Sequence, residues 1–285
     1  MKHPLGYLII SVVLFGGVWP ISKDALRHAS PLWFALNRAA LAALVTGLAL
    51  AALGRLKWPA RADLPAVLAL GLLQLGGFFA LMHLALGILP AGRSSILGNV
   101  TLFWLIPLSV WLLGEKVSPR RWWAAGLGLC GVTVLMAPWE WAATSPAVVL
   151  GYAMLLCCSL MWSLAIIVTR RWPPSRSVLE LLPFCFALAA LLVAPIAVWR
   201  EPQGGIGPGA WWQAAFVGGV AGPIGTWATI EAGRRLPGTI VSLGFLMVPA
   251  LGVVVSSLWL GETLGLDVLL GGGLIVASVL VAVKG

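Results

Sequence analysis

Charge is the scarcest property of this sequence. Asp, Glu, Lys and Arg make up 9% of its 285 residues while hydrophobic residues make up 60%, against roughly 25% and 45–50% in an ordinary soluble domain. So few charged side chains cannot clothe a water-facing surface, which excludes a soluble globular protein. Acids are scarcer than bases, nine against eighteen. The basic residues stand in short clusters between apolar runs, not in a stripe or tail, so nucleic acid is not an expected partner. Histidine occurs only as His3, His28 and His83. The four cysteines, Cys130, Cys157, Cys158 and Cys185, lie inside apolar runs without a C-x-x-C pair. They read as small packing residues and not as a metal or disulfide framework. There is no Walker motif and no H-E-x-x-H helix, and Asp24, Asp63 and Asp267 fall at the ends of apolar runs. Direct use of ATP and intramembrane catalysis are therefore not expected; no catalytic residue, metal or cofactor is assigned.

Long apolar runs are what the chain does have. They fall at 5–22, 31–53, 64–87, 92–113, 121–137, 147–169, 178–198, 210–232, 238–260 and 266–283. A bilayer-spanning helix needs about 20 mostly apolar residues, so the expectation is an all-α integral membrane protein with ten spans joined by short links. The first run follows Lys2 and has some of the composition of a signal peptide, but it has a counterpart later in the chain and is read as the first helix. With the N-terminus inside, the inner loops hold Lys2, Arg55, Lys57, Arg61, Lys116, Arg120, Arg121, Arg170, Arg171, Arg176, Arg234, Arg235 and Lys284. The outer loops hold Lys23, Arg27, Arg93 and Arg200, thirteen against four. That bias predicts cytoplasmic termini at both ends of the chain.

Sliding the sequence on itself by 147 residues aligns landmarks along its whole length. Phe15 meets Trp162, Gly16 meets Ser163, Ser22 meets Thr169 and Lys23 meets Arg170. Leu89-Pro90 meets Leu236-Pro237, the Leu-Gly-Glu ending at Glu115 meets the one ending at Glu262, and Gly126 meets Gly273. Two five-helix halves follow, 1–143 and 144–285. Five is an odd number, so the second half enters the membrane inverted, an architecture that puts a substrate site near the midplane between the halves.

These landmarks resemble the drug/metabolite transporter superfamily, specifically its EamA-type ten-helix carriers. The resemblance rests on Phe15-Gly16 and Trp162-Ser163, on the two Leu-Pro pairs, and on Glu115/Gly126 and Glu262/Gly273. The family's proline thirteen residues before the glutamate is matched by Pro249 but replaced by Leu102 in the first half, where Pro107 stands nearby. The resemblance implies a basket of helices one to four and six to nine around a central cavity, with helices five and ten more peripheral. It further implies export of amino acids and other metabolites or import of sugars, and a bacterial inner-membrane location. A monomer is the expected functional unit, with a small-molecule substrate and the lipid bilayer as partners.

Helix breakers and mid-span polar groups are candidates for the site, because non-helical backbone and unpaired polar groups are tolerated at membrane depth only where protein or a cavity meets them. Gly16, Gly17 and Pro20, and Gly222, Pro223 and Gly225, are candidate hinges. Candidate substrate contacts are Gln74, Phe78 and His83, then Asn99, Thr101, Phe103 and Trp104 from the first half. From the second come Trp162, Ser163, Thr226, Trp227, Ser242 and Phe245. Arg38 is the one clear charge inside a run, at a cost of about 2.5–3.5 kcal/mol at the bilayer centre on insertion scales; it is read either as a structural group pairing with carbonyls or as a contact for a substrate carboxylate. So little charge argues against multiply phosphorylated substrates and favours neutral or zwitterionic ones, amino acids above all. A carrier of sugars or nucleosides, a lipid flippase, and a channel or receptor remain alternatives. Direction of flux and proton coupling are left open.

Overall fold

In the computed structural model, residues 4–137 and 145–283 are described; His3, the division at 143/144 and most of the expected link between the halves lie outside them. The described chain forms ten helical rods. The first half holds α1 (Pro4–Ala25), α2 (Pro31–Ala52), α3 (Arg61–Ile88), α4 (Ala91–Leu113) and α5 (Pro119–Met136). The second holds α6 (Pro146–Arg171), α7 (Val178–Arg200), α8 (211–235), α9 (238–260) and α10 (Leu266–Val283). Among the described residues α1 to α4, α6, α7 and the Leu243–Leu260 part of α9 are long and apolar enough to cross a membrane. The other three expected spans are less clear-cut. The α5 helix opens on Arg120 and Arg121, α8 carries Gln213, Glu231, Arg234 and Arg235, and α10 is short.

Local chemistry sets these boundaries. Pro31, Pro119 and Pro146 stand in the first turns of α2, α5 and α6, where the missing N–H leaves no helical bond unmade. Gly114 and Gly261 end α4 and α9 at φ 67° and 69°, a conformation that costs other residues the clash of Cβ with the backbone. The wound-back chain lets the N–H of Glu115 donate to the carbonyl of Ser109 at 3.2 Å and that of Glu262 to Ser256 at 3.4 Å.

The most extensive helix contacts join one half to the other: α5 lies along α10, α2 along α7, α1 along α9 and the latter part of α3 along α6. The α5–α10 seam shows how close this packing is. A Cβ added at Gly131 would sit 2.7 Å from the carbonyl oxygen of Gly271, and one added at Gly271 would sit 2.7 Å from that of Gly131. Small residues at such a seam let backbones touch, and dispersion replaces the hydrophobic driving force that lipid does not supply.

Irregular backbone recurs at one spacing. Wide π-turns occupy Ala69–Gly77 in α3 and Val217–Ala221 in α8. The α4 rod breaks at Asn99–Val100 and α9 at Leu246. Tight turns of three residues open α3 at Arg61–Asp63 and lead into α8 at Pro208–Ala210. By contrast α1 runs unbroken through Gly16, Gly17 and Pro20. The break in α4 arises without a proline at Leu102, and Pro107 is carried inside the helix that follows.

Glycines in equivalent-looking helix positions should therefore differ sharply in tolerance. Gly131→Val overpacks the α5–α10 seam and should destabilise the protein by about 1–3 kcal/mol. Gly126→Ala enters open space, with nothing within 4 Å, and should leave stability unchanged or slightly raised. Thermal unfolding of the purified variants in detergent reads both; equal midpoints for the two would refute the seam.

Candidate functional site

One large cavity, of about 760 Å³, lies between the halves. That is within the ~300–1,000 Å³ range of small-molecule sites. Its wall is drawn from both halves: Phe15, Val18 and Trp19 of α1, Arg38 of α2, Gln74, Phe78, Phe79 and Met82 of α3, Asn99 and Thr101 of α4, Trp162 of α6, Thr226 and Thr229 of α8, and Phe245, Leu246, Val248, Pro249 and Ala250 around the break in α9. Aromatic rings make the wall continuous across the seam. Trp19 meets Phe78 edge-on with centroids 6.4 Å apart, and Phe78 meets Trp162 at 5.2 Å. Such pairs hold their rings in place beyond what area burial alone gives.

The π-turns and breaks supply the polar groups. Asn99 ends the first segment of α4, and its Nδ2 donates to the carbonyl of Ser95 at 2.7 Å, leaving its Oδ1 as a free acceptor. Thr226 and Thr229 donate their hydroxyl hydrogens to the carbonyls of Gly222 and Gly225, at 2.7 and 2.9 Å, so their oxygens are left as acceptors. Gln74, inside the π-turn of α3, has no side-chain hydrogen bond among the described residues.

Arg38 is the one charged residue of the wall among those described, and it is 5% exposed. Its guanidinium lies 3.9 Å over the ring of Phe79, and Nη1 donates to the Met82 sulfur at 3.6 Å. The Nε has no partner. A desolvated cation–π contact contributes about 2 kcal/mol, against the about 2.5–3.5 kcal/mol cost of an arginine at membrane depth, and a thioether is a weak acceptor. The charge is cushioned without being neutralised.

Several expected contacts lie elsewhere. His83 is fully buried beside Phe34; its Nδ1–H donates to the carbonyl of Phe79 at 2.6 Å, which leaves Nε2 an unpartnered acceptor. Ser163 donates to the carbonyls of Ser159 and Thr101, and Trp104 donates to the Ser159 hydroxyl while its ring packs on Phe103. None of these four residues is in the cavity wall. Trp227 is 40% exposed, packs edge-on against Tyr7 of α1 and is not in the cavity wall. The side chain of Ser242 lies outside the described residues. Of the hinge candidates, Gly222 lines the cavity and, with Pro223 and Gly225, directly follows the π-turn of α8. Gly16 and Gly225 serve as contact points, for Leu251 and Phe15 respectively. The wall also includes Val268, Gly272 and Val276 of α10, so that helix is less peripheral than the resemblance implies.

The two ends of the bundle are built differently. At the end where α4 begins, the Glu262 carboxylate accepts the N–H groups of Ala91 and Gly92 at 2.6 and 2.8 Å. Arg93, in the same first turn, bonds Asp267 and, at 2.6 Å, the hydroxyl of Tyr152, and Lys23 donates to the carbonyl of Leu86 at 2.6 Å. A carboxylate on a helix N-terminus satisfies orphan donors and meets the positive end of the dipole, so these groups tie α4 to α6, α9 and α10. At the opposite, basic end, Glu115 pairs with Arg170 at 2.8 Å, with both side chains well exposed. An ion pair of that kind contributes only about 0.2–1 kcal/mol.

The EamA-like transporter family model matches this chain twice, over residues 4–137 and 149–284. The chain belongs to the EamA-like transporter family. It is therefore a membrane transporter of the EamA type, and the helices described above fit a multi-pass membrane protein. Two relatives agree. The "Uncharacterized transporter YvbV" of Bacillus subtilis is 27% identical over 285 residues, covering 95% of this chain and 88% of that protein. The "Probable terminal-alkyne amino-acid exporter" of Streptantibioticus cattleyicolor is 22% identical over 284 residues, covering 96% and 91%. A solved crystal structure superposes with a TM-score of 0.68 at 20% identity over 98% of each chain, a likeness of fold alone.

Trp19 and Met82 are wall residues of this EamA-like chain that the sequence pattern alone passed over. The available signal was Trp19 one turn beyond the landmark Phe15. The Glu262 clamp likewise had a visible cue, an acid at the same spacing from Glu115. Glu262→Ala leaves two helix N–H groups without an acceptor and should lower stability by about 1–3 kcal/mol, whereas Glu115→Ala should cost less than ~1 kcal/mol. Thermal midpoints of the two variants test the asymmetry, and equal losses would contradict it.

Proposed function

We propose that this chain is a secondary carrier that moves small metabolites, foremost amino acids outward, through its central cavity by alternating access. The observation that carries the reading is a ligand-sized cavity walled by both halves, with aromatic sides and few polar groups. A wall with neutral acceptors and one cation suits a zwitterion better than a multiply phosphorylated solute. The relative named as an amino-acid exporter supports the same cargo.

In this reading all ten rods cross the membrane as two inverted five-helix repeats, 1–143 and 144–285, with both termini and the basic end in the cytoplasm. The double family match and the recurrence of turns, breaks and left-handed glycines at a spacing of 147 residues support the repeat; the clustering of Arg and Lys supports the orientation. The carrier works as a monomer in the bacterial inner membrane, catalyses no chemical step and needs no cofactor. Its substrate contacts are Arg38, Gln74, Phe78, Asn99, Thr101, Trp162, Thr226 and Phe245. An amphiphilic or lipid-linked cargo is the second reading, favoured by wall residues on α9 and α10, Val254, Leu269 and Val276, that are also exposed on the bundle's outside.

Uptake of radiolabelled amino acids, sugars and nucleosides into proteoliposomes, with unlabelled solute inside and with or without a pH gradient, tests this directly. Saturable amino-acid exchange is the expected result; uptake of another class alone would discard the cargo and keep the carrier. Trp162→Ala and Asn99→Ala should each reduce that exchange on the order of tenfold, the loss of about 1.4 kcal/mol of binding, without lowering folded yield. Trp227→Ala, outside the cavity, should spare it. Normal exchange in both cavity variants would sink the assignment.

A further inference from the structure

Arg38 raises a question that folding does not answer. A buried guanidinium is ordinarily paired, because its five N–H donors lose water on burial. Seven ion pairs are formed among the described residues, and Arg38 is in none of them. Its single hydrogen bond goes to a thioether and its Nε goes unmet. The side chain is 5% exposed, and the space it borders is the cavity. No Asp or Glu is in the described wall. The Gln74 amide in the same cavity wall is likewise without a partner among the described residues, and the acceptors left over at Asn99, Thr226 and Thr229 suit an ammonium or hydroxyl and not an anion.

We infer that Arg38 is the receptor for a carboxylate on the transported molecule, so that a single negative charge is an obligatory feature of the cargo. This rests on the carrier reading above and narrows it. A planar guanidinium offers a carboxylate two parallel donors, and here it is held in advance by Phe79 and Met82, with Nε unmet and Nη1 engaged only by a thioether. One uncompensated positive charge in an apolar wall repels cations and leaves neutral amines and amides without a reason to bind. A second negative charge on the cargo would find no second cation. The cargo is thus a monocarboxylate, with or without an amino group, carrying an apolar body for the aromatic wall.

The test uses full-length purified protein and ligand-induced thermal stabilisation with four matched series: L-leucine and L-phenylalanine, their amides, their decarboxylated amines, and the acids lacking the amine, 4-methylpentanoate and 3-phenylpropionate. The expected result is that acids bind, that amides and amines bind weaker on the order of 100-fold, and that Arg38→Gln loses that preference by the same factor. Equal binding of acids and amides, or undiminished acid binding by Arg38→Gln, overturns the inference while leaving the carrier intact. Binding of the amine-free acids without the amino acids overturns the amino-acid cargo and upholds Arg38. No stabilisation by any compound overturns both. Should Arg38→Gln fail to fold, modification of the wild-type Arg38 by phenylglyoxal, followed by mass spectrometry, replaces it. Protection by the acids and not by the amides is expected, and equal protection refutes the role.

Discussion

Hydrocarbon offers a peptide group no hydrogen-bond partner, and the rest of this structure depends on that constraint. Where a helix breaks, its freed N–H and carbonyl groups must meet protein or a wet cavity. The α4 break at Asn99 and the α9 break at Leu246 both border the cavity, as do Gln74 in the π-turn of α3 and Gly222 just after that of α8. The irregularities and the cavity therefore account for each other: the cavity meets the backbone polarity that the breaks release, and the breaks turn otherwise apolar helices into sources of hydrogen-bonding groups. Helices without an irregularity, such as α2 and α7, contribute packing and single side chains.

The same shortage of partners explains where charge sits. Asp63 is fully buried, yet it accepts from the N–H groups of Ser175, Arg176 and Ala60 and from the Ser175 hydroxyl. Glu231 pairs with Arg234 and Arg235 at the end of α8, and Glu262 takes the N-terminus of α4. Acids are few: Asp63 and Glu262 fasten the end of one helix to another segment, while Glu231 pairs with the two arginines of its own last turn. Arg38 stands apart because it is buried at the cavity wall and, among the described residues, unmatched by any acid.

Much of this was legible beforehand, for a physical reason. Helix ends are written in local chemistry: the expected runs 31–53 and 178–198 became Pro31–Ala52 and Val178–Arg200, because proline, glycine and charge mark ends whatever the tertiary structure does. Gln74, Phe78, Asn99 and Trp162 do line one cavity, since unpaired polar and aromatic groups have few other places to go. His83 and Trp227 do not. His83 stands five residues after Phe78, about 140° further round the helix, and Trp227 stands one residue after Thr226, about 100° round, so each turns away from the side its neighbour presents to the cavity. The contribution of α10 was hidden for another reason: a featureless apolar helix carries no sign of which side faces lipid.

Having a single cation in the cavity also bears on how a carrier of this kind turns over. A transporter must release what it binds, and several fixed charges around an ion would deepen the well from which the cargo has to escape. Arg38 is already stripped of water by folding, so a carboxylate arriving there bears the desolvation of one ion only, and the pair formed is offset by that cost. Phe79 and Met82 keep the guanidinium in place without competing as a bound carboxylate side chain would. Selectivity can then come from sign and shape together, with the aromatic wall measuring the apolar body and one guanidinium registering the charge. In the proposed carrier, binding then remains shallow enough for the cargo to leave from whichever end of the bundle is open.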